Sequence, residues 1–292
     1  GGHKGQKLIQ VFEPYRKKLP PLKAYFREFW RRREFASQLS IYDDKAEYLD
    51  SKLGKVWLVV NPLFLAGIYF LLVSVIQGKS GNTGFATLCH ILIGLFTFYF
   101  AQNCISIGAQ SITRGSRLIL NQAFPRMLLP YSSALSALRQ FLPTLPIYIA
   151  IVVIGKFLFP SANLPGWHFN YLIIPIVLIC LAATSFGLAL FFATLNVYFR
   201  DTTKLLNYIL RIWLYACPVL WLPEVLTGWH RAFLYLNPLG PTLAANSRIW
   251  IEGSAPTAAQ FVAMFAWAFF ALLFGGYFFL TREREFAIRS EE

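Results

Sequence analysis

Charge is scarce in this sequence: Asp, Glu, Lys and Arg make up 14% of 292 residues, and the mean hydropathy is +0.49. A soluble globule carries roughly a quarter charged residues, so a fold surrounded by water is excluded. Cysteine is rare too. Cys89, Cys104, Cys180 and Cys217 fall inside apolar runs without short paired spacing, which excludes a disulfide framework and leaves small packing residues. His3, His90, His168 and His230 lie far apart, and no carboxylate falls inside an apolar run. Neither a metal cluster nor an acid/base pair can be assembled from them. The pattern of a secretory signal is missing, because the N-terminal stretch is polar and basic rather than a short charged start before an apolar segment.

A complete nucleotide loop is also missing. "VIQGKSGNTG", residues 75–84, contains a Gly-Lys-Ser triplet, but a phosphate-cradling loop needs a glycine five positions before Gly78, and that position is Val73. The triplet is a Gly- and Ser-rich turn between two apolar runs. Energy for any uphill work has to come from another chain.

What the sequence has in abundance is apolar length. Residues 57–76, "WLVVNPLFLAGIYFLLVSVI", supply about the twenty residues a helix needs to cross roughly 30 Å of hydrocarbon. Similar runs follow at 85–110, 132–155, 171–197, 205–222 and 257–280, which predicts an all-α integral membrane protein with about six spans. Thirteen of the 27 Lys and Arg precede residue 56. Near the membrane, Lys45, Lys52, Lys55, Arg114, Arg117, Arg126, Arg200, Lys204, Arg282, Arg284 and Arg289 fall on one side, against Lys79, Lys156, Arg231 and Arg248 on the other. That bias predicts both termini in the cytoplasm and makes the net charge of +13 a matter of topology and anionic lipid, with no nucleic-acid partner.

The predicted organisation is a basic cytoplasmic arm at 1–34, an interfacial amphipathic helix at 35–55, a six-span domain at 56–280 and a cytoplasmic tail at 281–292. Phe35, Leu39, Tyr42, Ala46, Leu49 and Leu53 recur at steps of four and three, with Asp43, Asp44, Lys45, Glu47, Asp50 and Lys52 on the other faces. Residues 111–131 form a basic inner connection interrupted by Pro125, and "NVYFRDTTK" (196–204) forms a shorter one. Pro218, Pro223, Pro238, Pro241 and Pro256 break up the apolar outer segment, which predicts two short re-entrant helices at about 223–236 and 241–252. There is no internal repeat, so a central pathway calls for two copies of the chain.

Five stretches, "SKLGKVWLVVNP" (51–62), "NQAFPRMLLP" (121–130), "NVYFRD" (196–201), "CPVLW" (217–221) before Pro223, and "LNPLGP" (236–241), occur in the order and spacing of the membrane subunit of ABC-2-type polysaccharide exporters. The chain resembles that family over about residues 35–280. The resemblance implies a homodimer in a bacterial cytoplasmic membrane that exports a lipid-linked O-antigen, teichoic acid, capsule or cell-wall galactan. It is powered by two copies of a separate ATPase that uses ATP and Mg, with no cofactor in this chain. It further implies an ATPase-coupling region of Arg114, Arg117, Asn121, Gln122, Phe124, Pro125 and Arg126, supported by Tyr198, Arg200 and Asp201. The segment with Pro218, Pro223, Glu224, Trp229, Asn237 and Pro238 is expected to form an outer gate. The sequence departs from the family's usual pattern before the first span, where a basic "RDLKxRY" is replaced by "YDDKAEYLD".

Physical chemistry adds roles beside the resemblance. Arginines around a proline-stiffened loop offer bidentate contacts to partner carboxylates, or else only enforce topology. Asp201 is placed to cap the helix that follows it. Phe98, Tyr99, Trp213, Tyr215, Trp221 and Trp229 are candidates to line a glycan channel, or to sit in an aromatic belt. Arg139 and Arg211, each some way into a span, snorkel, pair structurally or contact a diphosphate. Competing readings are a membrane-embedded glycosyl- or acyltransferase, for which Glu224 and Glu252 make a poor acid/base set, an ABC-2 permease for small hydrophobic compounds, and an ion channel.

Overall fold

The computed structural model describes residues 19–78, 82–117 and 123–289, and every regular element among them is helical. Two helices, α1 (Leu22–Arg31) and α2 (Arg33–Tyr48), precede the apolar bundle. The bundle comprises α3 (Trp57–Gln77), α4 (Asn82–Arg114), α5 (Leu128–Phe141), α6 (Thr144–Leu158), α7 (Ile174–Tyr198), α8 (Thr202–Ala216), α9 (Arg231–Leu236), α10 (Gly240–Ser247), α11 (Ala258–Arg282) and α12 (Phe286–Arg289).

Among the described residues, five stretches are long and apolar enough to cross a bilayer: Gly54–Ile76, Gly84–Arg114, Leu128–Leu158, Phe169–Tyr198 and Ala258–Glu285. The fifth of the six expected spans differs. Its helix, α8, has 15 residues, about 22 Å of rise, and stops short of the hydrocarbon thickness. The cause is Pro218, which pushes the preceding Cys217 into extended backbone (φ −90, ψ 152) and ends the helix there. The third span is one path in two pieces, α5 and α6, with Pro143 at the joint.

The centre of the bundle is α4, whose residues Ile91, Leu92, Ile93, Leu95 and Phe98 are fully buried. Close packing relies on small residues, as expected where lipid offers no hydrophobic drive between helices. A Cβ on Gly187 of α7 would collide with the Ala271 backbone of α11, and one on Gly275 with the Gly187 backbone. Gly108 of α4 faces Ala189, whose Cβ would lie 2.8 Å from an added methyl. Thr257 begins α11 with a capping box, accepting from the Gln260 N–H at 3.2 Å while Gln260 Oε1 accepts from Thr257 N–H at 3.0 Å.

The amphipathic helix is present, but it uses a face that the apolar stripe does not show. Ala36, Ser40 and Asp44, four residues apart, are the buried residues of α2, while Tyr42, Leu49 and Leu53 are 71%, 78% and 53% exposed. Small and polar residues pack on α5; of the apolar stripe, Phe35 and Leu39 are half-buried in the protein, and Tyr42, Leu49 and Leu53 stay exposed. Within the segment expected as the tail, after a turn at Glu283–Glu285 the chain buries Phe286 against Phe279, ring centroids 5.0 Å apart. The arm up to residue 18 lies outside the described residues.

Candidate functional site

The two ends of the bundle are built from different chemistry. At one end, where α4 stops and α5 and α8 begin, the connecting chain is pinned by charged groups. The Glu283 carboxylate accepts from the Arg126 backbone N–H at 2.7 Å and from the Tyr25 hydroxyl at 3.0 Å. The Arg126 guanidinium donates in turn to the Glu283 carbonyl, and Tyr25 Oη accepts from the Met127 N–H at 3.3 Å. Arg32, between α1 and α2, donates to the Ala123 carbonyl at 3.1 Å and is itself steadied by Glu28 at 2.6 Å. Phe124 packs its ring on Phe35 at 5.7 Å. Residues 123–127 are therefore gripped by the chain's N-terminal and C-terminal elements together, with Pro125 buried between them. Burial here, then the Glu283 charge, drives the Tyr25 hydroxyl far above its ordinary range. Burial also lowers Arg126, against the pull of Glu283.

This placement redefines Arg126. Expected to reach a partner, it is tied to its own chain, so it positions the loop. Arg114, Arg117 and Arg200 are exposed instead. Asn121 and Gln122 lie outside the described residues. At the second connection, Tyr198 donates to the Glu285 carboxylate, and Arg289 lies 4.5 Å over the Tyr198 ring. Arg200 and Arg289 border a cavity of 360 Å³ with Asn196 and Thr203. Asp201 stands at the N-cap position of α8 but makes no capping hydrogen bond; its carboxylate faces Lys204 at 3.7 Å.

At the opposite end most of the pinning is by neutral groups, with Arg231 Nε also donating to the Leu226 carbonyl at 3.2 Å. Asn237 accepts from Trp213 Nε1 at 2.6 Å and from the Leu239 N–H at 3.1 Å, and donates to the Ala216 carbonyl at 3.3 Å. It thus ties the broken end of α8 to the start of α10. His90, buried in α4, lies 2.5 Å from Ser247 Oγ and 2.9 Å from the Trp221 carbonyl. Trp221 Nε1 donates to the Tyr215 carbonyl at 2.9 Å, and the Tyr215 and Tyr69 hydroxyls are 3.0 Å apart. Pro218 is buried, and Pro238 is half-buried between α9 and α10.

The segments expected as two re-entrant helices are less regular than the reading supposed. The first is a pair of 3-10 turns at Pro223–Val225 and Gly228–His230 followed by the six-residue α9, and the second is α10 continued by a π-helical turn, Arg248–Glu252. Glu224, Arg248 and Glu252 line one cavity of 170 Å³, with the Arg248 guanidinium 3.7 Å from the Glu252 carboxylate. Burial first, then the neighbouring Glu224 carboxyl, raises Glu252 above its ordinary value. Trp229 is 71% exposed and stacks on His230, ring centroids 4.0 Å apart.

Two of the residues proposed to meet substrate have other occupations. Phe98 is fully buried in the core and lines nothing. Arg139 donates to Ser40 and lies 3.8 Å from Asp44, whose carboxylate also accepts from Ser136, so the guanidinium bolts α5 to α2. Arg211, by contrast, is exposed on α8, as is Tyr215, while Tyr99, Trp213 and Trp221 are half-buried. Sequence reasoning missed Tyr25, Asp44, His90 and Glu283. Asp44 did leave a signal, since Ala36, Ser40 and Asp44 repeat at the helical step of four.

Comparison with known proteins agrees with this architecture. The ABC-2 type transporter family matches residues 44–249. The O-antigen export system permease protein RfbA of Myxococcus xanthus is 27% identical over 264 residues, covering 89% of this chain and 97% of the relative. Two proteins of the same name from Klebsiella pneumoniae are 24% and 26% identical over 214 and 215 residues, covering 73% and 72% of this chain and 78% of each relative. With residues 44–249, more than half its length, matched to the family, the chain belongs to the ABC-2 type transporter family.

Proposed function

We propose that the chain is the transmembrane subunit of an ATP-driven exporter that moves a lipid-linked polysaccharide of the O-antigen kind outward across a bacterial cytoplasmic membrane. The observation that carries this reading is the gripped loop at 123–127, flanked by the exposed Arg117 and Arg200. A stiff loop tied to both terminal elements can pass a displacement into the bundle, and free guanidiniums suit carboxylates on a partner. The basic end is the cytoplasmic one by charge bias, with both termini there. Two copies of a separate ATPase would dock on it, each beneath one copy of this chain. The names of the relatives point to the glycan, and the exposed aromatics Tyr215 and Trp229 offer ring faces along which sugars slide without one deep well.

At the outer end, α9 and α10 with Pro223, Glu224, Asn237 and Pro238 act as the gate, because a backbone broken by prolines hinges more readily than a continuous helix. A membrane-embedded transferase is disfavoured, since the family matched and the relatives named are transport proteins. The test is reconstitution of the chain with its ATPase in liposomes carrying a lipid-linked glycan. The glycan should become accessible on the far side only with hydrolysable ATP. Accessibility without ATP, or none with it, would overturn the reading.

A further inference from the structure

A cavity of 480 Å³ lies where α2 crosses α4 and α5, and neither residues 123–127 nor the outer segment borders it. Its walls carry both signs of charge. Asp43 and Glu47, one turn apart on α2, border it, and Arg114 at the end of α4 acts electrostatically on both. Ser132 lines it as well, 98% buried, and its hydroxyl has no hydrogen-bond partner in the protein. A hydroxyl that deep without a partner is costly and points to a polar occupant. Leu39 and Leu129 supply apolar wall. Beside this face, α2 exposes Tyr42 and Leu49, and the next element starts with the exposed Val56 and Trp57, so the cavity sits at the boundary of the membrane.

We propose that this cavity holds the headgroup of a zwitterionic, amine-bearing phospholipid, phosphatidylethanolamine, with Asp43 and Glu47 taking the ammonium, Arg114 the phosphate and Ser132 a phosphate or ester oxygen. An ammonium offers three donors to two carboxylates one turn apart, whereas a choline group offers none and a glycerol headgroup carries no positive charge. Partial burial already disfavours the charge on both carboxyl groups, so a cation brought beside them is the natural complement. The lipid would fix α2 against the bundle alongside the Asp44–Arg139 bolt. It rests on the chain's place in a membrane and not on the export reading.

The test is native mass spectrometry of the full chain released from nanodiscs of equimolar phosphatidylethanolamine, phosphatidylcholine and phosphatidylglycerol, without ATP or glycan. Phosphatidylethanolamine should be retained over each of the others by about tenfold, the scale of one charge-assisted hydrogen bond. The Asp43→Asn, Glu47→Gln double variant, checked for an unchanged thermal midpoint in detergent, should lose that preference. Equal retention of the three lipids by the unaltered protein, or an undiminished preference in the variant, would overturn the proposal. If the variant does not fold, the lipid competition on the unaltered chain still decides. Because nothing is transported, failure here is distinct from failure of the export reading.

Discussion

The basic end and the aromatic end of this bundle solve one problem, holding irregular chain against helices, with opposite means. At the basic end Glu283 collects the Tyr25 hydroxyl and the Arg126 N–H, and the guanidinium of Arg126 closes the ring. At the aromatic end Asn237 binds Trp213, Leu239 and Ala216 without a charge, and His90 joins Ser247 to Trp221. Charged pins make a stiff, water-tolerant joint fit to receive a push. Neutral amide and ring hydrogen bonds are individually weaker and suit a segment that has to open.

Breaking the charged joint should have the largest effect. Glu283→Ala removes the acceptor of two buried donors, so we expect a loss of about 2–4 kcal/mol in stability together with loss of ATPase association, read by thermal unfolding and co-purification. The neutral joint should give less: Asn237→Ala strips several hydrogen bonds from the junction of α8 and α10 and should cost about 1–3 kcal/mol, with ATPase association intact. If Asn237→Ala released the ATPase as fully as Glu283→Ala, the division of labour between the ends would be lost.

How much of this was legible in the sequence depends on distance along the chain. Apolar runs give spans because twenty consecutive residues report on one helix, and α3, α4, α7 and α11 fall close to where they were expected. Alpha-helical length at α8 was overestimated because Cys217 and Pro218 interrupt a run that remains apolar beyond them. Pairings such as Tyr25 with Glu283 join residues 258 apart, and no periodicity carries that. The acidic "YDDKAEYLD" looked like a solvent face; its Asp44 is instead the partner of Ser136 and Arg139 across the α2–α5 contact.

Smaller effects sharpen the comparison. Burial of Glu252, and then the neighbouring Glu224 carboxyl, raises its carboxyl above the ordinary value, so the folded state holds that proton more tightly. The corresponding stability is complete below the unfolded carboxylate value of about 4.3 and fades as pH rises through the raised folded value. Glu252→Gln should therefore flatten the fall of the thermal midpoint with pH, and an unchanged slope would show that the pair contributes nothing. Smallest of all is Lys204→Ala, which breaks an exposed pair with Asp201 and should shift stability by no more than about 0.5 kcal/mol, within the scatter of a chemical or thermal melt.

The central claim, that a separate ATPase drives this chain through its basic end, is tested most directly by purifying the full chain in mild detergent and weighing what remains bound. The account predicts a stoichiometric ATPase on the unaltered chain, and its loss from an Arg117→Glu, Arg200→Glu variant whose thermal midpoint is unchanged. No ATPase on the unaltered chain, or an ATPase that binds the charge-reversed variant equally well, would contradict it.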